Sequence, residues 1–211
     1  MNKNSLFDSG NRFNRFLSHI LDIIILGQFW LLCSLPIITV GASTIALYTM
    51  TLRLVRDEEG DLKSGFFKAF RRNFSQSLPV TLVFGALYCG SLFSLIRLLG
   101  KGDGKTAFLF GINIAFILVI KALWVWIVAL IARYDDPLPV HLNNAWRLAV
   151  GYISYTLIFL VTTTAPLFWA VLGTDSFLIV LPIWFLMGGG GAAAVNSIYL
   201  RKVFDSLEKN T

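Results

Sequence analysis

The chain has 211 residues, of which 56% are hydrophobic and only 14% charged, with a formal net charge of +6. Soluble chains carry roughly 25% charged residues, so this composition excludes an ordinary soluble enzyme and requires a bilayer. The 18 Phe, 6 Trp and 6 Tyr exclude disorder, two cysteines exclude a disulfide scaffold, and the basic excess reads as Lys and Arg held inside during insertion rather than as nucleic-acid binding.

A spanning helix needs about 20 mostly apolar residues. Lys3, Asp8, Arg12, Arg15 and His19 make too long and polar a lead for a signal peptide, so Ile20 to Ile38 reads as a retained first span, with Asp22 near its inner end. Pro36 to Gly41 breaks it, because Pro removes a helical donor and Gly relaxes the backbone. The next run, Ala42 to Val55, is shorter and carries Ser43, Thr44, Tyr48, Thr49 and Thr51, which leaves hydropathy undecided. Charge parity favours a second helix that is short, tilted or partly re-entrant. The basic lead and the basic segment from Arg53 to Arg72 can both lie inside only across an even number of crossings or a re-entrant hairpin.

Residues 57–77 are expected as a cytoplasmic loop holding an amphipathic interfacial helix. Its acidic start, Asp57-Glu58-Glu59-Asp61, reads as a solvated turn. At 100° per residue Phe66, Phe67, Phe70 and Phe74 form one stripe, and Lys68, Arg71 and Arg72 take the other side. Such a helix either anchors on anionic headgroups or docks its aromatic ridge on a partner protein.

Four further runs qualify as spans: Leu78 to Leu99, Ala107 to Ala132, Ala149 to Leu172, and Phe177 to Leu200. The span from Ala107 to Ala132 holds Lys121, with Asn113 on its helical face. Asp22 is the candidate ion-pair partner for Lys121, snorkelling to the interface is a second reading, and a ligand or ion path is a third. The connection from Arg133 to Arg147, with Asp135, Asp136 and His141, is placed inside. In the last span, Gly188 with Ala192 and Gly190 with Ala194 put small residues four apart, which lets helix backbones approach closely. The expected fold is all-α, a single polytopic membrane bundle over residues 1–211 with about six membrane helices and both termini cytoplasmic.

No metal-ligand spacing, nucleophile elbow or phosphate loop is present in the sequence, so no enzyme activity, metal or cofactor is expected. The run Phe29-Trp-Leu-Leu-Cys-Ser-Leu-Pro36-Ile-Ile-Thr39-Val-Gly41-Ala-Ser-Thr-Ile-Ala46-Leu-Tyr48, then Arg53-Leu-Val-Arg56-Asp57-Glu58-Glu59-Gly60, then Phe66-Phe67-Lys68-Ala-Phe70-Arg-Arg-Asn-Phe74, resembles the YesL family of small bacterial membrane proteins of unknown function. The resemblance is specific over about the first eighty residues and carries no catalytic residue. It implies a multi-pass protein of the bacterial plasma membrane, often encoded beside carbohydrate ABC transporters. An accessory role with the sugar permease is therefore the expected function, and an autonomous small-solute transporter or channel the alternative.

Overall fold

A computed structural model describes residues 12–58, 60–98, 104–171 and 188–209. These residues form α1 (Arg12–Ser34), a 3-10 turn (Ile37–Thr39), α2 (Val40–Val55), α3 (Leu62–Leu98), α4 (Gly104–Arg133), α5 (Leu138–Gly151), α6 (Ile153–Val171) and α7 (Gly189–Lys209), with no strand among them. Among the described residues, four segments are long and apolar enough to cross a membrane: Leu17–Ser34, Ile37–Val55, Leu62–Leu98 and Gly104–Arg133. The pair α5 and α6, bent by 99°, makes a fifth if counted as one broken span. The chain is an all-helical membrane protein. The first half of the expected last span, at 177–187, lies outside the described residues, as do the expected loop at 173–176 and most of that at 100–106.

α1 and α2 form a hairpin whose turn follows from its sequence. Pro36 starts the 3-10 turn in an extended conformation, and the Thr39 hydroxyl closes it by donating to Cys33 O at 2.5 Å and Pro36 O at 2.6 Å. The two helices are stitched by Ser34 Oγ with Ser43 Oγ at 2.6 Å, and by Trp30 Nε1 donating to Thr44 Oγ1 at 3.1 Å. Gly41 sits where a Cβ would collide with Thr81 Oγ1 and come within 3.2 Å of Ser77, so α3 crosses here almost backbone to backbone.

α2, the helix that hydropathy leaves in doubt, is the centre of the bundle. Every residue from Gly41 to Tyr48 is buried, and so are Met50, Thr51 and Leu52. Its serine and threonine hydroxyls carry little penalty there because each donates to a carbonyl of its own helix: Ser43 and Thr44 to Val40 O, Thr49 to Ile45 O, and Thr51 to Leu47 O.

The aromatic stripe of residues 66–74 does not belong to a separate interfacial helix. It is the first part of α3, a continuous helix of 37 residues, about 55 Å long against a hydrocarbon layer of about 30 Å. Phe66 is fully buried, edge to face with Phe67 at 5.6 Å and tilted against Phe29 of α1 at 5.7 Å. Phe67 meets Phe29 as well, and Phe70 stacks on Phe74 at 6.0 Å. The ridge expected to face lipid or a partner is therefore anchored at Phe66 inside the protein, while Lys68, Arg71 and Arg72 stay exposed.

α4 divides into two halves. From Ile120 to Ala132 nearly every side chain is buried, whereas Phe108, Leu109, Ile112 and Phe116 are exposed, apolar residues suited to a lipid cover. The expected span from Ala149 to Leu172 is interrupted, because Tyr152 leaves the helical region and turns the chain from α5 into α6. Thr156 holds that bend by donating to Ala149 O at 2.9 Å while accepting from the buried Trp126 Nε1 at 2.9 Å.

Candidate intramembrane binding cavity

α7 completes the bundle through backbone proximity. A Cβ on Gly189 would lie 2.5 Å from the Trp30 ring, and one on Gly190 would strike the Ile23 carbonyl oxygen and come within 3.2 Å of the Gly27 Cα. Gly188, Gly189, Ala192 and Ala193 therefore form a low wall, and Ala194 is buried one residue further on. Opposite that wall stand Trp30 on α1, Thr44 and Tyr48 on α2, Lys121 and Trp124 on α4, and Thr163 on α6. Together these residues line a half-open cavity of about 220 Å³.

Lys121 is the charged group of this cavity. Its Nζ donates to Thr164 Oγ1 at 2.8 Å and to Thr163 O at 3.4 Å, both on α6. The partner expected from the sequence, Asp22, is not its acceptor. Asp22 lines a different, open cleft of about 870 Å³ with His19, Arg53, Asp57, Glu58 and Asp61. Two loose pairs cross that cleft, His19 with Asp57 at 3.7 Å and Arg53 with Glu58 at 3.8 Å, and such exposed pairs contribute little to stability. Asn113, two turns before Lys121, has its Oδ1 buried with no hydrogen-bond partner among the described residues.

Behind the cavity a polar relay runs through the core. Asn196 Nδ2 donates to Tyr48 Oη at 3.0 Å, and Thr162 Oγ1 donates to Asn196 Oδ1 at 2.7 Å. One residue along, Thr51 and Ser197 share a hydroxyl bond of 2.8 Å. Asn196 and Ser197 are wholly buried, so these bonds tie α2, α6 and α7 into one register. The base of the bundle is clasped by charge: Arg56 meets Asp205 at 2.9 Å, Arg133 meets Glu208 at 2.9 Å, and Arg201 donates to Val55 O at 2.5 Å.

Sequence reasoning singles out Lys121, Asn113 and the small residues of α7, and it misses Tyr48, Thr163, Thr164 and Asn196 as partners. The signal for Asn196 is present, since an amide in a run of Gly and Ala has to be hydrogen-bonded to be buried. Among the described residues no group of three or more His, Cys, Asp or Glu is placed to hold a metal.

Residues 23–95, which run from α1 into α3, match a family described as a protein of unknown function, DUF624. That stretch supplies Trp30, Thr44 and Tyr48 to the cavity, while Lys121 lies beyond it. No curated protein and no solved structure matches the chain.

Proposed function

We propose that this chain, which carries the YesL-type DUF624 domain over residues 23–95, is a non-enzymatic protein of the bacterial plasma membrane that holds a small polar solute in the Lys121 cavity. The observation that supports this reading is a half-buried ammonium that lines, with Tyr48, a cavity within the span region. An intramembrane charge costs about 2.5–3.5 kcal/mol on insertion scales and marks a functional position by default. At about 220 Å³ the cavity is smaller than the 300–1,000 Å³ usual for drug-sized ligands, so the solute is small. The test is flux into proteoliposomes containing this chain alone, beside saturable binding by the same protein. Flux that disappears in Lys121→Met identifies a transporter, and binding without flux identifies a sensing or accessory subunit. Neither flux nor binding would refute the reading.

A second reading is favoured by the basic row of α3. Lys63, Lys68, Arg71 and Arg72 remain exposed while Phe66 fixes the helix from behind, so the row is a rigid, charged surface suited to an acidic patch on a partner. On this reading the protein is an accessory subunit of a carbohydrate ABC import system, and the row contacts the permease on the cytoplasmic side. Isolation in mild detergent followed by mass spectrometry tests it. Permease subunits should accompany the wild type in fixed ratio and be lost from a Lys68→Glu, Arg71→Glu double variant.

A further inference from the structure

The lining of the Lys121 cavity can be sorted by which of its hydrogen atoms are already committed. Thr44 Oγ1 donates to Val40 O at 2.6 Å, and Thr163 Oγ1 donates to Phe159 O at 2.7 Å, so both threonine protons are held by carbonyls of their own helices. Trp30 Nε1–H is spent on Thr44. Three lining side chains keep a proton to give: Lys121, Tyr48 and Trp124, whose indole N–H has no acceptor among the described residues. An ammonium has three N–H donors, and the bonds from Lys121 to Thr164 Oγ1 and Thr163 O use two of them. The Tyr48 hydroxyl accepts from Asn196 Nδ2, and its own O–H has no acceptor among the described residues.

One of these unspent donors is cationic, and one of the two neutral ones is the Tyr48 phenol on the facing helix. Among the described residues no carboxylate pairs with Lys121. A half-buried intramembrane charge with only neutral acceptors is incompletely compensated, and the missing element is a negative one. We infer that the cavity binds an oxyanion, a carboxylate or phosphate group seated between Lys121 Nζ and the Tyr48 hydroxyl. This rests on the solute-binding reading and adds the charge of the solute to it. The same chemistry is offered by a small dissolved anion and by an anionic lipid headgroup, so the experiment separates those sources.

The full chain is placed in nanodiscs of phosphatidylcholine alone, and thermal unfolding is followed during titration with L-lactate, with inorganic phosphate, and with glycerol as the neutral control. A parallel set of nanodiscs contains phosphatidylglycerol and no added solute. The expected result is a saturable rise in Tm with an anion and none with glycerol. Loss of the charged donor in Lys121→Met should weaken the apparent affinity about tenfold to a hundredfold, Lys121→Arg should retain most of it, and Tyr48→Phe should weaken it about fivefold. Should Lys121→Met fail to fold, Tyr48→Phe and Lys121→Arg carry the comparison.

A response to lactate or phosphate in pure phosphatidylcholine supports the proposal and assigns a dissolved anion, while one that needs phosphatidylglycerol supports it and assigns a headgroup. Saturable stabilisation by glycerol equal to that by the anions would overturn the oxyanion and leave solute binding standing. No saturable response to any probe would overturn the oxyanion as well, with flux by the chain alone then deciding the broader reading.

Discussion

Two neighbouring glycines of α7 should respond to the same substitution in opposite directions. Replacing Gly190 by Ala puts a methyl group against the Ile23 carbonyl oxygen and within 3.2 Å of both the Ile23 carbonyl carbon and the Gly27 Cα. All three are main-chain atoms of α1, so no side chain can rotate away, and α7 must move off α1 along its whole contact. Overpacking of this kind costs about 1–3 kcal/mol, while the better helix propensity of Ala returns about 1 kcal/mol. Because separation also loosens the Gly189–Trp30 contact and the Asn196–Tyr48 bond, the net effect is a loss of roughly 1–3 kcal/mol. At Gly191 nothing described lies within 4 Å of the added methyl, so Gly191→Ala should be neutral or stabilising by about 0.5–1 kcal/mol. Unfolding of the two purified variants in one detergent, followed by circular dichroism, measures the difference directly. Equal shifts would mean that the α1–α7 approach is not what these glycines serve, and the argument for close backbone packing would fall.

Phe66→Ala should destabilise the bundle by about 3–5 kcal/mol, visible as a lower unfolding midpoint, whereas Lys68→Ala on the exposed side of the same turn should leave the midpoint nearly unchanged. Asn196→Leu removes the acceptor of Thr162 and the donor to Tyr48 together, and a loss of about 1–3 kcal/mol is expected; Thr162→Val in that background should cost less than it does alone, which a double-mutant cycle reads out.

How much could be read from the chain itself varies with what covers each apolar face. Runs such as Ala107 to Ala132 announce their helices, because any cover, lipid or protein, demands the same residues. The Phe66 stripe shows the limit: periodicity gives the face, and Phe29, 37 residues earlier in the chain, decides that protein rather than headgroups covers it. α2 is marginal by hydropathy because Ser43, Thr44 and Thr51 lower it, yet those hydroxyls bond Ser34, Val40 O and Ser197, and a window average does not register hydrogen bonds. Lys121 was legible as a site and not in its pairing. Looking for an opposite charge led to Asp22, whereas the acceptors are an uncharged hydroxyl and a carbonyl on α6. The break at Tyr152 went unread because Gly151 and Tyr152 interrupt an otherwise apolar run that a spanning helix could also contain.

The contacts of α7 set a timetable for making the protein. Its bonds to Thr51, Val55, Tyr48 and Arg56 join positions 146 to 149 residues apart. At about 5–20 residues per second, the ribosome delivers Asn196 and Ser197 roughly 7–30 s after their partners have left it. Throughout that interval the α1–α2 hairpin is present, with Tyr48 and Thr51 lacking these partners and Arg56 lacking its counter-ion. Until α7 is made these polar groups wait for their partners, and a chain interrupted before residue 189 lacks those partners for the whole of its lifetime.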